Sequence, residues 1–116
     1  MKINILTLPA FDKAYKKLHK KYPSIKLDIK ELENELISNS EIGIDLGNDI
    51  RKVRLQIKSK NSEKRRGARI ITYSLLVSLD SKNIILVTMY EKGKTETISI
   101  TEIKSILQSE GLLANS

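Results

Sequence analysis

Positions 51–69 hold nine basic side chains, Arg51, Lys52, Arg54, Lys58, Lys60, Lys64, Arg65, Arg66 and Arg69, against the single acid Glu63. All five arginines of the chain lie in this stretch, and its net +8 exceeds the +7 of the whole protein. The residue type matters as much as the sign. Guanidinium is planar, permanently charged and able to grip a phosphate through two parallel hydrogen bonds, whereas an ammonium acts as a solvated point charge. Solubility alone gives no reason to gather every arginine into one segment, so a phosphate-rich partner is the better reading than a solvated hairpin.

Such a segment could do one of two things. It could bind the backbone of RNA or DNA, or it could stabilise a phosphate while its ester is broken. Cleavage needs a group to take a proton, a group to protonate the leaving oxygen, and fixed cations for the developing charge. Crowded like charges disfavour a protonated lysine, which makes lysine a candidate base, and tyrosine can lend a proton. Lys60, Lys64, Arg69 and Tyr90 supply these residue types. The chain has no cysteine and one histidine, His19. That excludes a thiolate nucleophile and a cysteine zinc site, and His19 cannot by itself build a Ser-His-Asp centre or a histidine-rich metal centre. His19 itself reads as an exposed residue of a lysine-rich helix.

The elements that must position these groups follow from periodicity. The 116 residues suit one domain, 1–116, with 40% apolar and 30% charged residues. Residues 2–8 read as a short strand. After Pro9, Phe11, Tyr15, Leu18 and Tyr22 line one face of a helix, with Lys13, Lys16, Lys17, Lys20 and Lys21 around the rest. Pro23 ends it, because the residue before proline is driven out of the helical region. Ile25, Ile29, Leu32 and Leu36 mark a second helix whose intervening Glu31, Glu33 and Glu35 form a solvated face, and the two helices make a hairpin. Ser38-Asn39-Ser40, Gly43 and Gly47-Asn48-Asp49 punctuate a loop.

From residue 51 the period falls to two. Val53, Leu55 and Ile57 alternate with Lys52, Arg54, Gln56 and Lys58, as expected of a half-buried strand with a basic outer face. Residues 59–67 form a polar connection, and Arg69 to Val77 read as a long central strand with Tyr73 in the core. Asp80-Ser81-Lys82-Asn83 read as a turn and Ile84 to Tyr90 as a third strand of an antiparallel meander. Ser99 with Glu102 predicts a capping box ahead of a helix carrying Ile100, Ile103, Ile106 and Leu107, which Gly111 would stop. The order β-α-α-β-β-β-α predicts an α+β domain, with a small antiparallel sheet, helices on one face, and basic residues on the other. The N-terminus lacks an apolar stretch fit for a signal peptide and no apolar run reaches the length of a membrane span, so a cytoplasmic, non-membrane protein is expected.

Several ordered motifs, Leu46-Gly47, Arg51-Lys52-Val53-Arg54, Ser59-Lys60, Lys64-Arg65, Gly67-Ala68-Arg69-Ile70-Ile71 and Thr88-Met89-Tyr90-Glu91-Lys92, resemble the RelE/HigB branch of the RelE/ParE toxin superfamily. The segment Lys20-Lys21-Tyr22-Pro23-Ser24 and the terminal Ile98–Leu107 stretch match as well, so the resemblance spans nearly the whole chain. It implies a RelE-like fold and a toxin of a type II toxin-antitoxin system. It also implies a ribosome-dependent endoribonuclease that cuts messenger RNA in the ribosomal A site, by attack of the ribose 2′-hydroxyl and without metal or cofactor. The implied partners are messenger and ribosomal RNA and a cognate antitoxin. By position, Arg69 corresponds to the arginine on the scissile phosphate, Lys60 and Lys64 to loop lysines of which either could be the base, and Tyr90 and Lys92 to candidate acids. Lys52, Arg54, Lys58, Arg65 and Arg66 are expected to bind RNA. Many relatives carry a glycine-rich loop of the form Lys-Gly-x-Gly-Lys-x-Gly-Gly, whereas this chain reads Lys60-Asn61-Ser62-Glu63-Lys64-Arg65-Arg66-Gly67, so a stiffer or differently shaped loop is expected. The alternative is a non-catalytic binding module, either a ParE-like gyrase inhibitor or an inactive RNA binder.

Overall fold

A computed structural model describes residues 1–60, 67–93 and 97–114. Its elements in chain order are strand β1 (Lys2–Thr7), helices α1 (Pro9–Lys21) and α2 (Ile25–Ser38), strands β2 (Ile44–Gly47), β3 (Ile50–Leu55), β4 (Ala68–Ser78) and β5 (Ser81–Glu91), and helix α3 (Ile100–Ser109). They form an α+β domain around one five-stranded sheet of order β1-β5-β4-β3-β2. β3, β4 and β5 make the expected antiparallel meander with β4 at its centre, and β1 adds in parallel along β5.

The local causes are visible residue by residue. Pro9 sits in the first turn of α1, where a missing N–H costs nothing, and Tyr22 leaves the helix in an extended conformation ahead of Pro23. Phe11, Leu18 and Tyr22 of α1 and Ile25, Ile29, Leu32 and Leu36 of α2 are buried together with Val53, Leu55, Ile70, Ile84 and Leu86 of the sheet. Ser99 caps α3 by accepting a hydrogen bond from the Glu102 N–H at 3.1 Å. Gly111, at φ +73°, closes the helix in a left-handed turn. There the Leu112 N–H donates to the Leu107 carbonyl and the Gly111 N–H to the Gln108 carbonyl, which is the pairing of a Schellman stop.

Four sequence expectations need correction. The helices do not share one face: Ile103 and Leu107 of α3 bury against Ile50, Ile71, Tyr73, Ile85, Val87 and Tyr90, on the side of the sheet opposite α1 and α2. The strand parity explains this, since β4 and β5 are apolar on both faces and their second face needs a cover. The region read as a loop contains β2, joined to β3 by a two-residue turn in which Asn48 and Asp49 both have positive φ, 53° and 62°. Two left-handed residues in succession give the turn whose twist suits a hairpin, and Asn and Asp tolerate it best after glycine. The third correction is to β3, which stops at Leu55, and Lys58–Lys60 form a 3-10 turn instead. Asp28 is the cause: its buried Oδ2 accepts from the Lys58 N–H at 3.2 Å and from the Ser24 hydroxyl at 2.7 Å, drawing the chain toward α2. Last, β5 begins at Ser81, so the β4–β5 turn is tighter than the segment 80–83 suggested.

Candidate functional site

Cross-strand register assembles the site. Arg54 of β3 lies opposite Arg69 of β4, which lies opposite Tyr90 of β5. Residues directly opposite in a sheet share a face, so two guanidinium groups and a phenol form one row. Lys52 stands two residues from Arg54 on that same face, and Lys92 two residues beyond Tyr90. Lys52, Arg54, Arg69 and Lys92 line one cleft of about 520 Å³, with Glu35, Ile42, Gly43, Ile44 and Val53 forming its other walls at the edge of β3.

Gly67 makes the row possible. A Cβ at Gly67 would lie 2.1 Å from the Leu55 carbonyl oxygen and 3.0 Å from the Ile57 nitrogen, so only glycine lets β4 start this close to the end of β3. Its carbonyl accepts from the Lys92 N–H at 2.9 Å. The same residue thus ties together the strands that carry Arg54, Arg69 and Lys92.

Arg69 is 7% exposed and donates to the Ala68 carbonyl at 3.0 Å. Burial pushes its pKa below the ordinary arginine value, and the Arg54 charge pushes the same way, with Tyr90 opposing. The two guanidiniums repel each other in a setting that already disfavours charge. An anion entering the row relieves that repulsion. Tyr90 is buried at 8% exposure within the apolar cluster under α3, so packing and position in the row coincide in one residue.

Lys60 and Lys58 are elsewhere. Successive residues of a strand point to opposite faces, so Glu91 turns away from Tyr90 toward α1. There the Glu91 carboxylate, 4% exposed, receives Lys60 at 2.8 Å, Lys21 at 3.1 Å and the Tyr22 hydroxyl in a short hydrogen bond. The Lys60 and Lys21 ammonium groups also lie 6.0 and 5.3 Å from the Tyr22 ring centroid. Burial raises the Glu91 pKa, but the hydrogen bonds from Lys60, Tyr22 and Lys21 and the charge of Lys60 outweigh it and bring the group down to about 2. Lys58 is paired with Glu31 of α2 at 2.7 Å, and that bond raises its pKa. Lys64, Arg65 and Arg66 lie outside the described residues.

The structure therefore brings together Lys52, Arg54, Arg69, Tyr90 and Lys92, and separates Lys58 and Lys60 from them. Sequence reasoning gave no role to Glu91 or to the pairing of Lys21 and Tyr22 with it. The signal was present in strand parity, since Tyr90 and Glu91 are adjacent and cannot serve one face. Asp28 was equally unassigned, a carboxylate in an apolar helix stripe. His19 is exposed and stacks on Tyr15 at 5.3 Å between ring centroids. Among the described residues no helix is long and apolar enough to cross a membrane. Compared with known proteins, the chain matches no family model and no curated protein.

Proposed function

We propose that this protein is a RelE/HigB-type toxin, a ribosome-dependent endoribonuclease that binds the messenger RNA backbone in the cleft beside β3 and cleaves it. The observation that carries the reading is the Arg54–Arg69–Tyr90 row, with Lys52 and Lys92 lining the same cleft. The family resemblance of the surrounding motifs points the same way. In the proposed reaction the ribose 2′-oxygen attacks the adjacent phosphorus and the 5′-oxygen leaves. The 2′ proton passes to a base and the leaving oxygen takes a proton from an acid, giving a 2′,3′-cyclic phosphate and a free 5′-hydroxyl. Arg69 and Arg54 hold the non-bridging oxygens, where negative charge grows, and relief of their mutual repulsion adds to phosphate binding. Tyr90 is the acid candidate nearest them in register.

The lysine roles are narrowed by placement. Lys60 is engaged by Glu91 on the α1 side, and an ammonium held in an ion pair offers no lone pair to a substrate proton. Lys52 and Lys92, which line the cleft, are the better candidates for base, and Lys64 retains the candidacy that its type gives it. Cytoplasmic action on ribosomes and inhibition by an antitoxin belong to the same proposal.

The test is induction of the protein followed by three measurements. Translated messages are expected to be cut and growth to stop, while purified messenger RNA without ribosomes and plasmid supercoiling stay unchanged. Loss of supercoiling with intact messages would replace this reading by the gyrase one. RNA binding without any cut would reduce the protein to an RNA-binding module.

A further inference from the structure

α1 carries five lysines against the single acid Asp12. At 3.6 residues per turn, Lys13, Lys16, Lys17 and Lys20 fall within an arc of about 100° that contains no acid and no aromatic ring. The buried Phe11, Leu18 and Tyr22 lie on the opposite side of the cylinder, so the four lysines form the outward face of the helix, and all four are exposed. Asp12 and His19 stand at one border of the arc and Lys21 at the other.

Elsewhere the fold pairs its cations, Lys21 and Lys60 with Glu91 and Lys58 with Glu31. Lys13, Lys16, Lys17 and Lys20 make no ion pair among the described residues. A cation in the last turn complements the helix dipole, which accounts for Lys20, but Lys13, Lys16 and Lys17 lie too early for that. The negative charges that could oppose an anion here are few. Asp12 is at the border, and Glu33 of α2 is half-buried and unpaired with α1. Glu91 lies in the groove between α1 and β5 that Lys17 and Lys21 also line, but it is 4% exposed and bound by Lys21 and Lys60.

Residue type says which anion fits. All five arginines lie in residues 51–69, whereas this face is lysine alone, point charges that accept a phosphate from many directions. Single strands are held by rings on which unpaired bases stack. This face offers none, since Tyr22 is buried and Tyr15 is half-buried and stacked with His19. A double helix hides its bases and presents phosphates on a rigid frame. From Lys13 to Lys20 the helix rises about 10 Å, a length over which a duplex carries about six backbone charges. An acidic protein matches less well, because lysine is depleted where proteins meet and no large apolar side chain lies in the arc. A membrane matches less well too, because the apolar side that would insert is packed against the sheet.

We propose that the outward face of α1 binds the phosphate backbone of a nucleic-acid double helix, a second contact on the side of the sheet opposite the Arg54–Arg69–Tyr90 row. RNA as the source of that duplex rests on the reading of the cleft given above; the lysine face itself does not.

Two double variants that remove the same charge test the placement, Lys16→Gln/Lys20→Gln on the arc and Lys26→Gln/Lys30→Gln at exposed positions of α2. Glutamine and lysine have similar helix propensities, so circular dichroism of both should match the parent. The log–log salt slope of duplex binding is about −0.9 per phosphate contact, so the first variant should make it shallower by about 1.8 and the second should leave it unchanged. The titrations use blunt RNA and DNA duplexes of one mixed sequence, single-stranded RNA of the same sequence, and phosphatidylserine vesicles. The RNA duplex should show the full change and the single strand a smaller one. Equal changes for the two variants, no change for the first, a change at least as large on the single strand, or tighter binding to vesicles than to duplexes would each overturn the proposal. A change on the DNA duplex alone would uphold the lysine face and count against RNA in the cleft. Cleavage on ribosomes with duplex binding indifferent to Lys16→Gln/Lys20→Gln defeats this proposal alone. Duplex binding that the variant weakens, without any cleavage by the parent, defeats the reading of the cleft alone.

Discussion

Tyr90 and Glu91 are neighbours in β5, yet they belong to two regions built on opposite electrostatic terms. On the α3 side, Tyr90 shares its row with two arginines whose charges repel, one of them buried. On the α1 side, Glu91 gathers Lys60, Lys21 and Tyr22 around one buried carboxylate that is held ionised. The second arrangement stabilises the fold by itself. In the first, burial and the neighbouring Arg54 charge both disfavour the Arg69 cation, and an anion beside it favours it. The two clusters are separated by the thickness of a sheet, and the cation-rich one is the side on which the proposed phosphate binding would occur.

The largest effect should come from Arg69→Met, which keeps the buried stem and removes the charge. Message cleavage on ribosomes is expected to fall by about 10²–10³-fold, the scale of losing one donor to a developing oxyanion. Stability should hold or rise, because folding lowers the Arg69 pKa and so disfavours the cation that is removed. Thermal melts with cleavage assays on the same preparations check both. A variant that melts much earlier than the parent would break the contrast, by showing that the arginine row stabilises the fold.

Glu91→Gln should do the reverse. The drop from 4.5 to about 2 corresponds to about 3 kcal/mol, an upper figure because Lys21 is half-exposed and its share is screened. A group whose pKa is depressed by folding contributes its full stability above its unfolded value and loses it as pH falls through the folded one. The stability difference between parent and Glu91→Gln should therefore be flat at neutral pH, shrink below about 4.5, and vanish near 2. Denaturant midpoints over that range measure it. A difference that persists at the acid end would mean the loss is one of packing.

Gly67→Ala tests the joint between the two regions. The added methyl meets the Leu55 carbonyl, so the strand starts must part, at about 1–3 kcal/mol. Cleavage should fall further than stability explains, because the residues that move are those that hold Arg54, Arg69 and Lys92 in register. If activity tracks the folded fraction alone, the row tolerates a looser geometry than its register suggests.

The fold was readable wherever one period dominated. The stripe Phe11, Leu18, Tyr22 and the stripe Ile25, Ile29, Leu32, Leu36 placed both helices, and Ser99 with Gly111 marked the limits of α3. What escaped depended on partners distant in sequence. β2 has only four residues and is fixed by pairing with β3, while β3 ends early because Asp28, thirty residues upstream, claims the Lys58 N–H. The site divides in the same way. Charge density singled out residues 51–69, but density carries no direction. Lys52 and Arg54 were legible through alternation. Lys60 was not, because its destination is set by Glu91, which only the folded register brings near.

The smallest effect is the sharpest discriminator between the two kinds of lysine and arginine. Binding to single-stranded RNA in the salt-sensitive regime has a log–log slope of about −0.7 per phosphate neutralised, so about six contacts give a slope near −4. Arg54→Ala removes a cation that lines the cleft and should make the slope shallower by about 0.7. Lys58→Ala removes one already bound to Glu31 at 2.7 Å. Releasing Glu31 returns a negative charge to the surface as the lysine's positive one is lost, so the overall affinity falls slightly while the count of released counterions scarcely changes. Equal changes in slope would mean that the Lys58–Glu31 pair opens on binding and that RNA follows the 3-10 turn as well as the cleft. A change for Arg54 alone confines the backbone contact to the α3 side, where the repulsive row is.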